Sequence, residues 1–305
     1  MATSDIVTTT REYLGPVGVW LAALRRETAD VQRAFAHRVE QLGYRSLWAG
    51  EVVGANDIFV DQAVWLSATQ RLATGAGIAN IWARHPAAMQ VAASSLEAAF
   101  PGRTVLGIGV SHAPVIERTG QVYERPLERM RQYLDGMDAA IETFTPNRAR
   151  PPRVLAALRR RMLELARDRT GGAHTYFVPP EHTRQAREIL GPDRLLIPEQ
   201  AVHLGTDAEQ ARSVAREHTS YYLRLPNYVN NLKQLGFTDD DLAGGGSDRL
   251  VDAIVAWGDA DTIVARVREH LDAGADHVLL QPLGPDARAA AQQLTELAPA
   301  VLKVR

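Results

Sequence analysis

The chain of 305 residues contains no cysteine. Disulfides, thiolate metal sites and cysteine nucleophiles are therefore excluded. Lysine is almost absent too, represented only by Lys233 and Lys303. Nearly all positive charge is arginine, so an arginine cluster here reflects composition as readily as a binding site. The net charge of -2 and the pI of about 6.5 leave no broad positive field for a nucleic acid or an anionic membrane. No run of about 18 apolar residues exists, which excludes a transmembrane helix. The polar start lacks the apolar core of a signal peptide. These absences lead to the expectation of a cytoplasmic protein whose partner is a small molecule. No HExxH pattern or carboxylate cluster has metal-ligand spacing, so no metal is expected. There is also no GxSxG elbow and no Walker loop.

What is present is an alternation. Residues 16–21 read as a short buried strand, followed by Val31, Phe35, Val39 and Leu42 at helical spacing, with Asp30 to cap the helix and Gly43 to end it. Strands then follow at 46–49, 72–81 and 103–110, with helices at 61–69 and 86–100, which makes four strand-helix units by about residue 143. In the second half, strands are expected at 153–157, 174–178, 195–204 and 277–283. Thr206 and Glu209 have the spacing of a capping box opening a helix to about His218. Asp261 is placed to cap the helix that Gly274 ends. Residues 221–247, with "AGGGS" near their end, fit no strand-helix unit and read as an insertion. Eight strands alternating with helices, without a linker-like break, predict one α/β domain over residues 1–305, a (β/α)8 TIM barrel with an insertion after strand seven.

In such a barrel the chemistry sits at the C-terminal ends of the strands. There the sequence places Glu51 after strand two, Asn80, Trp82, Arg84 and His85 after strand three, Ser111 and His112 after strand four, and Glu199, Gln200 and His203 on strand seven. Each has a plain alternative: Glu51 as a solvated loop carboxylate, His85 as an ordinary residue before the helix-opening Pro86, His112 as a loop histidine bonded to its neighbours. The stretch "GIGVSHAP" is more telling. Gly107 and Gly109 weaken a strand unless something packs closely on its backbone, such as a flat ligand. Their spacing lacks the third glycine of a dinucleotide fingerprint.

The strings "GPVGVWL", "SLWAGE" and "LATGAGIANIWARHPAAMQVAASSLEAAFPGRTVLGIGVSH" together resemble the bacterial luciferase-like superfamily, and within it the deazaflavin-dependent (coenzyme F420) oxidoreductases. The resemblance runs from about Gly15 to Leu283. It implies a TIM-barrel variant with an insertion after strand seven. It also implies a bulge in strand three with a cis bond between non-proline residues, matched here by Gly77-Ile78, whose backbone presses on the cofactor ring. Asn80 would face the pyrimidine edge, and Gly109 and Ser111 would adjoin the ring. Glu51 matches the family's acidic residue at the end of strand two, although Val52 stands where a histidine often follows. His112 falls where some members carry a glutamate, which makes it the candidate proton donor. The cofactor's phosphate would meet the amides of Leu158, Arg159 and Arg160 at a helix start, and Gly171, Gly172 and Ala173, just before strand six, are a second place where the backbone would approach the cofactor.

The resemblance thus implies an enzyme that moves a hydride between coenzyme F420 and an organic substrate, in a mouth lined by Trp20, Trp48 and Trp82, and that works as a homodimer. A reduced-FMN monooxygenase of the same fold is the alternative, because both cofactors share a tricyclic ring and a ribityl phosphate. Arg148, Arg150, Arg153 and Arg159 to Arg161 lean toward the polyanionic tail of the deazaflavin. A non-catalytic, flavin-binding subunit is the third reading.

Overall fold

The structure, a computed structural model, describes residues 3–144 and 150–304. Helix α1 (Thr3–Leu14) precedes β1 (Val17–Trp20), α2 (Ala29–Leu42), β2 (Ser46–Ala49), α3 (Ile58–Ser67), β3 (Ala73–Ala76), β4 (Ala79–Asn80), α4 (Pro86–Ala99) and β5 (Thr104–Gly109). The short α5 (Ala113–Glu117) and long α6 (Pro126–Phe144) follow, then β6 (Arg153–Ala156), α7 (Arg160–Arg169), β7 (Gly172–Thr175), α8 (Pro180–Leu190) and β8 (Leu195–Leu204). Next come α9 (Ala208–Tyr222), α10 (Pro226–Gln234), α11 (Asp239–Leu242), α12 (Asp248–Ile254) and β9 (Val255–Gly258), and the chain closes with α13 (Ala260–Asp272), β10 (Val278–Pro282) and α14 (Ala287–Val301).

All pairings are parallel, and the sheet closes because β10 joins β1 (Val17 opposite Val278) on one side and β8 (Leu279 opposite Glu199) on the other. With β3 and β4 forming one interrupted strand and β9 pairing only with the end of β8, outside the ring, this is a closed barrel of eight strands with helices outside, as the alternation predicts. Strands covered on both faces are apolar throughout. Accordingly β1, β2 and β3 are buried at every position. Inside the barrel, Trp48, Val105, Val154, Leu195, Ile197 and Leu279 pack together with Val7 and Leu14 of α1. Helix α1, which the sequence reading did not foresee, therefore belongs to the core. Gly75 makes room for this packing, since a Cβ there would come 2.1 Å from the Trp48 ring. Among the described residues, no helix is long and apolar enough to cross a membrane.

The interruption between β3 and β4 has a countable cause. Thr74 and Gly75 face Thr104 and Val105, whereas Ala79 and Asn80 face Ile108 and Gly109. The third barrel strand thus carries one residue more than its neighbour over this span, which defines a β-bulge. The Gly77-Ile78 peptide inside it is cis. Gly77 N–H bonds Ala49 O and Glu51 N–H bonds Ile78 O, each at 2.8 Å, so the bulge is tied to the end of β2.

Several local expectations are corrected. Helix α2 is capped by Thr28, whose side chain accepts from Val31 N, with Asp30 in the first turn. Asp207 rather than Thr206 caps α9, and Asp259 rather than Asp261 caps α13. In each case the aspartate or threonine immediately before the first helical residue has the extended backbone that a cap requires. Strand six begins at Gly172, two residues earlier than the expected 174–178, and stops at Thr175 because Phe177 turns into the left-handed region at φ 59° before the two prolines. The insertion is larger than residues 221–247: α9 to α12 and β9 all lie between β8 and α13. Much of it forms its own apolar cluster, including Leu225, Tyr228, Leu232, Phe237 and Val251, seated on Phe177 and Leu283 at the C-terminal end of the barrel.

Candidate active site

A cleft of about 180 Å³ opens at the C-terminal ends of the strands. Its floor is Trp20, the bulge residues Gly77 and Ile78, and His174 of β7, and its rim holds Ser111, His112 and Leu158. Across from these, Tyr221 and Tyr222 of α9 and Asn227 and Tyr228 of α10 bring the insertion over the mouth. The volume lies below the roughly 300–1,000 Å³ of ordinary ligand sites because these tyrosines crowd it.

The bulge is braced from three sides. Trp20 donates its indole N–H to Gly77 O at 2.9 Å. Glu51 Oε2 accepts from Asn80 N at 2.7 Å and from Arg84 at 3.0 Å, while its Oε1 also pairs with Arg84. Arg84 reaches Asp57 as well, at 2.8 Å. Both carboxylate oxygens of Glu51 are therefore engaged in holding the strand ends. The strand-four glycines serve the bulge too. A Cβ on Gly107 would come 2.0 Å from Ala76 O, and one on Gly109 would come 2.7 Å from the Ile78 side chain. They make room for protein, where the sequence reading made room for a ligand.

His112 stands at the rim with its ring 5.2 Å from that of Tyr228 and caps α5 by position alone, without a side-chain bond. Burial lowers its pKa to about 4. At neutral pH it is an uncharged imidazole that can accept a proton but holds no imidazolium proton to donate. The preceding Ser111 has φ 56°, a left-handed backbone that non-glycine residues rarely adopt and that concentrates at functional sites.

Beneath the mouth lies a polar cluster in which Glu199 and Asn80, expected at the strand ends, meet His174 and Tyr176, which the sequence does not single out. His174 Nδ1 bonds Ile197 O at 2.8 Å, and its Nε2 has no hydrogen-bond partner among the described residues. Tyr176 OH donates to Gln281 Oε1 at 2.7 Å and lies 2.7 Å from Tyr222 OH. Glu199 accepts from Phe177 N at 3.1 Å, leaves Oε1 unpaired, and is pushed by burial to a pKa of about 8, so it is protonated at neutral pH. Asn80 Nδ2 is also buried without a partner. Buried polar groups are nearly always paired, so the unpaired Nε2 of His174, which lines the cleft, marks a place shaped for something else, with the unpaired atoms of Glu199 and Asn80 behind it.

Residues 12–277 match the luciferase-like monooxygenase family. The chain belongs to it. Over 120 residues it is 34% identical to a Mycobacterium tuberculosis protein provisionally named a coenzyme F420-dependent oxidoreductase, covering 39% of this chain and 33% of that one. The match thus spans about a third of that relative's length. An F420-dependent secondary alcohol dehydrogenase, solved in complex with an F420-acetone adduct, superposes with a TM-score of 0.71 at 15% identity, covering 94% of this chain and 99% of the other. The oxygenating constituent of 3,6-diketocamphane monooxygenase from Pseudomonas putida, a type II Baeyer-Villiger monooxygenase solved with FMN, superposes with a TM-score of 0.70 at 14% identity, covering 94% and 99%. At these identities the two structures establish the shared barrel.

In this luciferase-like enzyme the structure brings Glu51, Gly77, Ile78, Ser111, His112, Leu158 and Trp20 together around the cleft. Asn80 and Gly109 sit just behind it, on the bulge and its partner strand. Others are elsewhere. Trp48 is wholly buried in the barrel interior, its indole N–H on Ser46 Oγ at 2.9 Å. Trp82 packs on Tyr123 and donates to Val110 O at 2.9 Å. Gly172 and Ala173 begin β7, at the end of the barrel away from the mouth, and were misplaced because that strand starts earlier than expected.

Arg159 and Arg160 open α7 beside a groove of about 370 Å³ that shares Leu158 with the cleft and also holds His182 and Asn231. Arg153 is already committed to Asp138 and Gln90, and Arg148 lies outside the described residues. Among the described residues no metal-ligand cluster occurs.

A tricyclic ring with a phosphate tail suits this site. The bulge offers a flat backbone wall, the orphaned atoms offer hydrogen bonds to a heterocycle edge, and the groove beside the α7 N-terminus leads outward from Leu158.

Proposed function

We propose that the chain is an oxidoreductase that binds coenzyme F420 in the cleft and transfers a hydride between it and a small organic substrate. The observation that carries this reading is the β-bulge at Gly77 and Ile78, whose backbone forms one wall of the cleft. Support comes from the relative and the structural neighbour that are named for F420.

When bound, the deazaflavin supplies a ring carbon that accepts or releases a hydride. The chain's own residues do the rest. Gly77 and Ile78 back the ring, and Trp20, Glu51 and Arg84 hold that backbone rigid. Tyr222 and Tyr228 narrow the mouth and exclude water, and their helices must shift to admit a ring. His112, uncharged and at the rim, accepts the proton that the substrate gives up as its hydride leaves, and returns it in the reverse direction. Leu158, Arg159 and Arg160 provide the amides and charge for the phosphate and tail.

A second reading keeps the site and exchanges the cofactor for reduced FMN, which makes the enzyme a monooxygenase. The FMN-bound structural neighbour favours it. Titrating the apoprotein with F420 and with FMN, followed by fluorescence quenching, separates the two. Tight, selective F420 binding supports hydride transfer, preference for FMN supports the monooxygenase, and binding of neither overturns both.

A further inference from the structure

We propose that His174 orients the bound ring, its Nε2 accepting the hydrogen bond of a ring N–H at the floor of the cleft. The proposal rests on the cofactor reading above and deepens it by naming a residue that the sequence did not single out.

The hydrogen bond at Nδ1 fixes the tautomer of His174. Nδ1 lies 2.8 Å from Ile197 O, a group that only accepts, so Nδ1 carries the proton and Nε2 presents a lone pair. Burial holds the ring uncharged, with its pKa lowered to about 4. The side chain is 2% exposed and clamped between neighbours, its ring 5.7 Å from that of Trp48 and 6.5 Å from that of Tyr176. It is therefore a fixed acceptor rather than a mobile base.

Its aim is equally defined. A Cβ built on Gly77 would fall 3.1 Å from Nε2 and 2.6 Å from the Trp20 indole nitrogen, so all three groups meet at one spot on the bulge. Trp20 has spent its only donor on Gly77 O. Nε2 alone of these side-chain groups remains unpaired, and a buried acceptor left so costs free energy that a ligand donor would recover.

An oxidised flavin or deazaflavin nucleus carries one ring N–H, at N3 on its pyrimidine edge. A lone acceptor on the floor of the cleft matches that single donor. It also disfavours any orientation that turns a ring carbonyl or an unprotonated ring nitrogen toward His174.

The test uses the intact protein labelled with 15N-histidine and titrated with F420 and FMN, binding itself being followed by tryptophan fluorescence. The proposal predicts that the His174 Nε2 resonance moves from a free lone pair to a hydrogen-bonded one on saturation. It also predicts that the N3-methylated form of whichever ring binds loses about tenfold in affinity for the wild type, while His174→Phe binds methylated and unmethylated rings within about twofold of each other. An unmoved resonance on saturation overturns the proposal and leaves the cofactor reading standing, as does an equal methylation penalty in both proteins. Binding of neither ring overturns both. The resonance needs no substitution, so the test survives if His174→Phe does not fold.

Discussion

The indole N–H of Trp20 on β1 bonds the carbonyl of Gly77 in the bulge at 2.9 Å, joining two barrel strands that are not neighbours in the sheet. That contact turns an irregular piece of backbone into a rigid wall. Trp20→Phe keeps an aromatic floor but removes the donor. We expect a loss of about 1–3 kcal/mol in stability, since Gly77 O is left unsatisfied, and a loss of cofactor affinity beyond what that destabilisation explains. Urea denaturation and a fluorescence titration of the same variant measure the two effects.

Glu51 is 5% exposed at its side chain and doubly paired with Arg84. Removing one partner of a buried pair leaves an uncompensated charge, at a cost of about 3–5 kcal/mol. Asp57, which also pairs with Arg84, reduces that cost, so Glu51→Gln is expected to lose about 2–3 kcal/mol. If Glu51 braces the bulge, the pH profile of turnover keeps its shape in this variant and only its height falls. A lost limb in the profile would assign Glu51 to proton transfer instead.

The two strand-four glycines make a graded pair. A methyl on Gly107 meets the Ala76 carbonyl at 2.0 Å, which is backbone and cannot swing away, whereas a methyl on Gly109 meets the Ile78 side chain at 2.7 Å and the Ala156 Cβ at 3.0 Å. Gly109→Ala is expected to fold, at a cost of about 1–3 kcal/mol and with weakened cofactor binding. Gly107→Ala is expected to be the more damaging of the two. Thermal melts of both proteins decide the order.

Stability should fall at both pH extremes for opposite reasons. Burial lowers His112, His174, His218 and His277 to about 4. The unfolded chain takes up protons near pH 6.5 that the folded chain refuses until about 4, so stability is full above the unfolded value and declines as pH falls through that window. The decline is about 1.4 kcal/mol per pH unit for each such histidine. Glu199 works the other way. Its pKa is raised to about 8, so its contribution is full below the ordinary carboxylate value and is lost as pH rises through 8. Glu199→Gln should flatten the decline of a denaturation series toward pH 8 and steepen the acid limb above the ordinary carboxylate value, where Glu199 and the histidines act in opposite directions.

The barrel was legible because strands buried on both faces announce themselves as apolar runs, and residues 195–204 emerge with the expected bounds. The bulge was legible only through the resemblance carried by "GAGIANIW", since composition alone does not distinguish it from an ordinary strand. Helix α1 escaped because its buried positions, Val7 and Leu14, are scattered among polar residues. His174 and Tyr176 escaped for a related reason. A polar residue in a short strand looks the same in sequence whether it faces a core, a helix or a cleft, and only closure of the barrel decides. The tyrosines of the insertion were visible as residues, but their place over the mouth depends on how α9 and α10 fold back on Phe177.

The most direct test of the account is a crystal structure of the protein with F420 bound. The account predicts the deazaflavin ring packed on the Gly77-Ile78 bulge, with Tyr222 and Tyr228 displaced from their present positions and the phosphate beside the start of α7. A ring bound away from this bulge would contradict it.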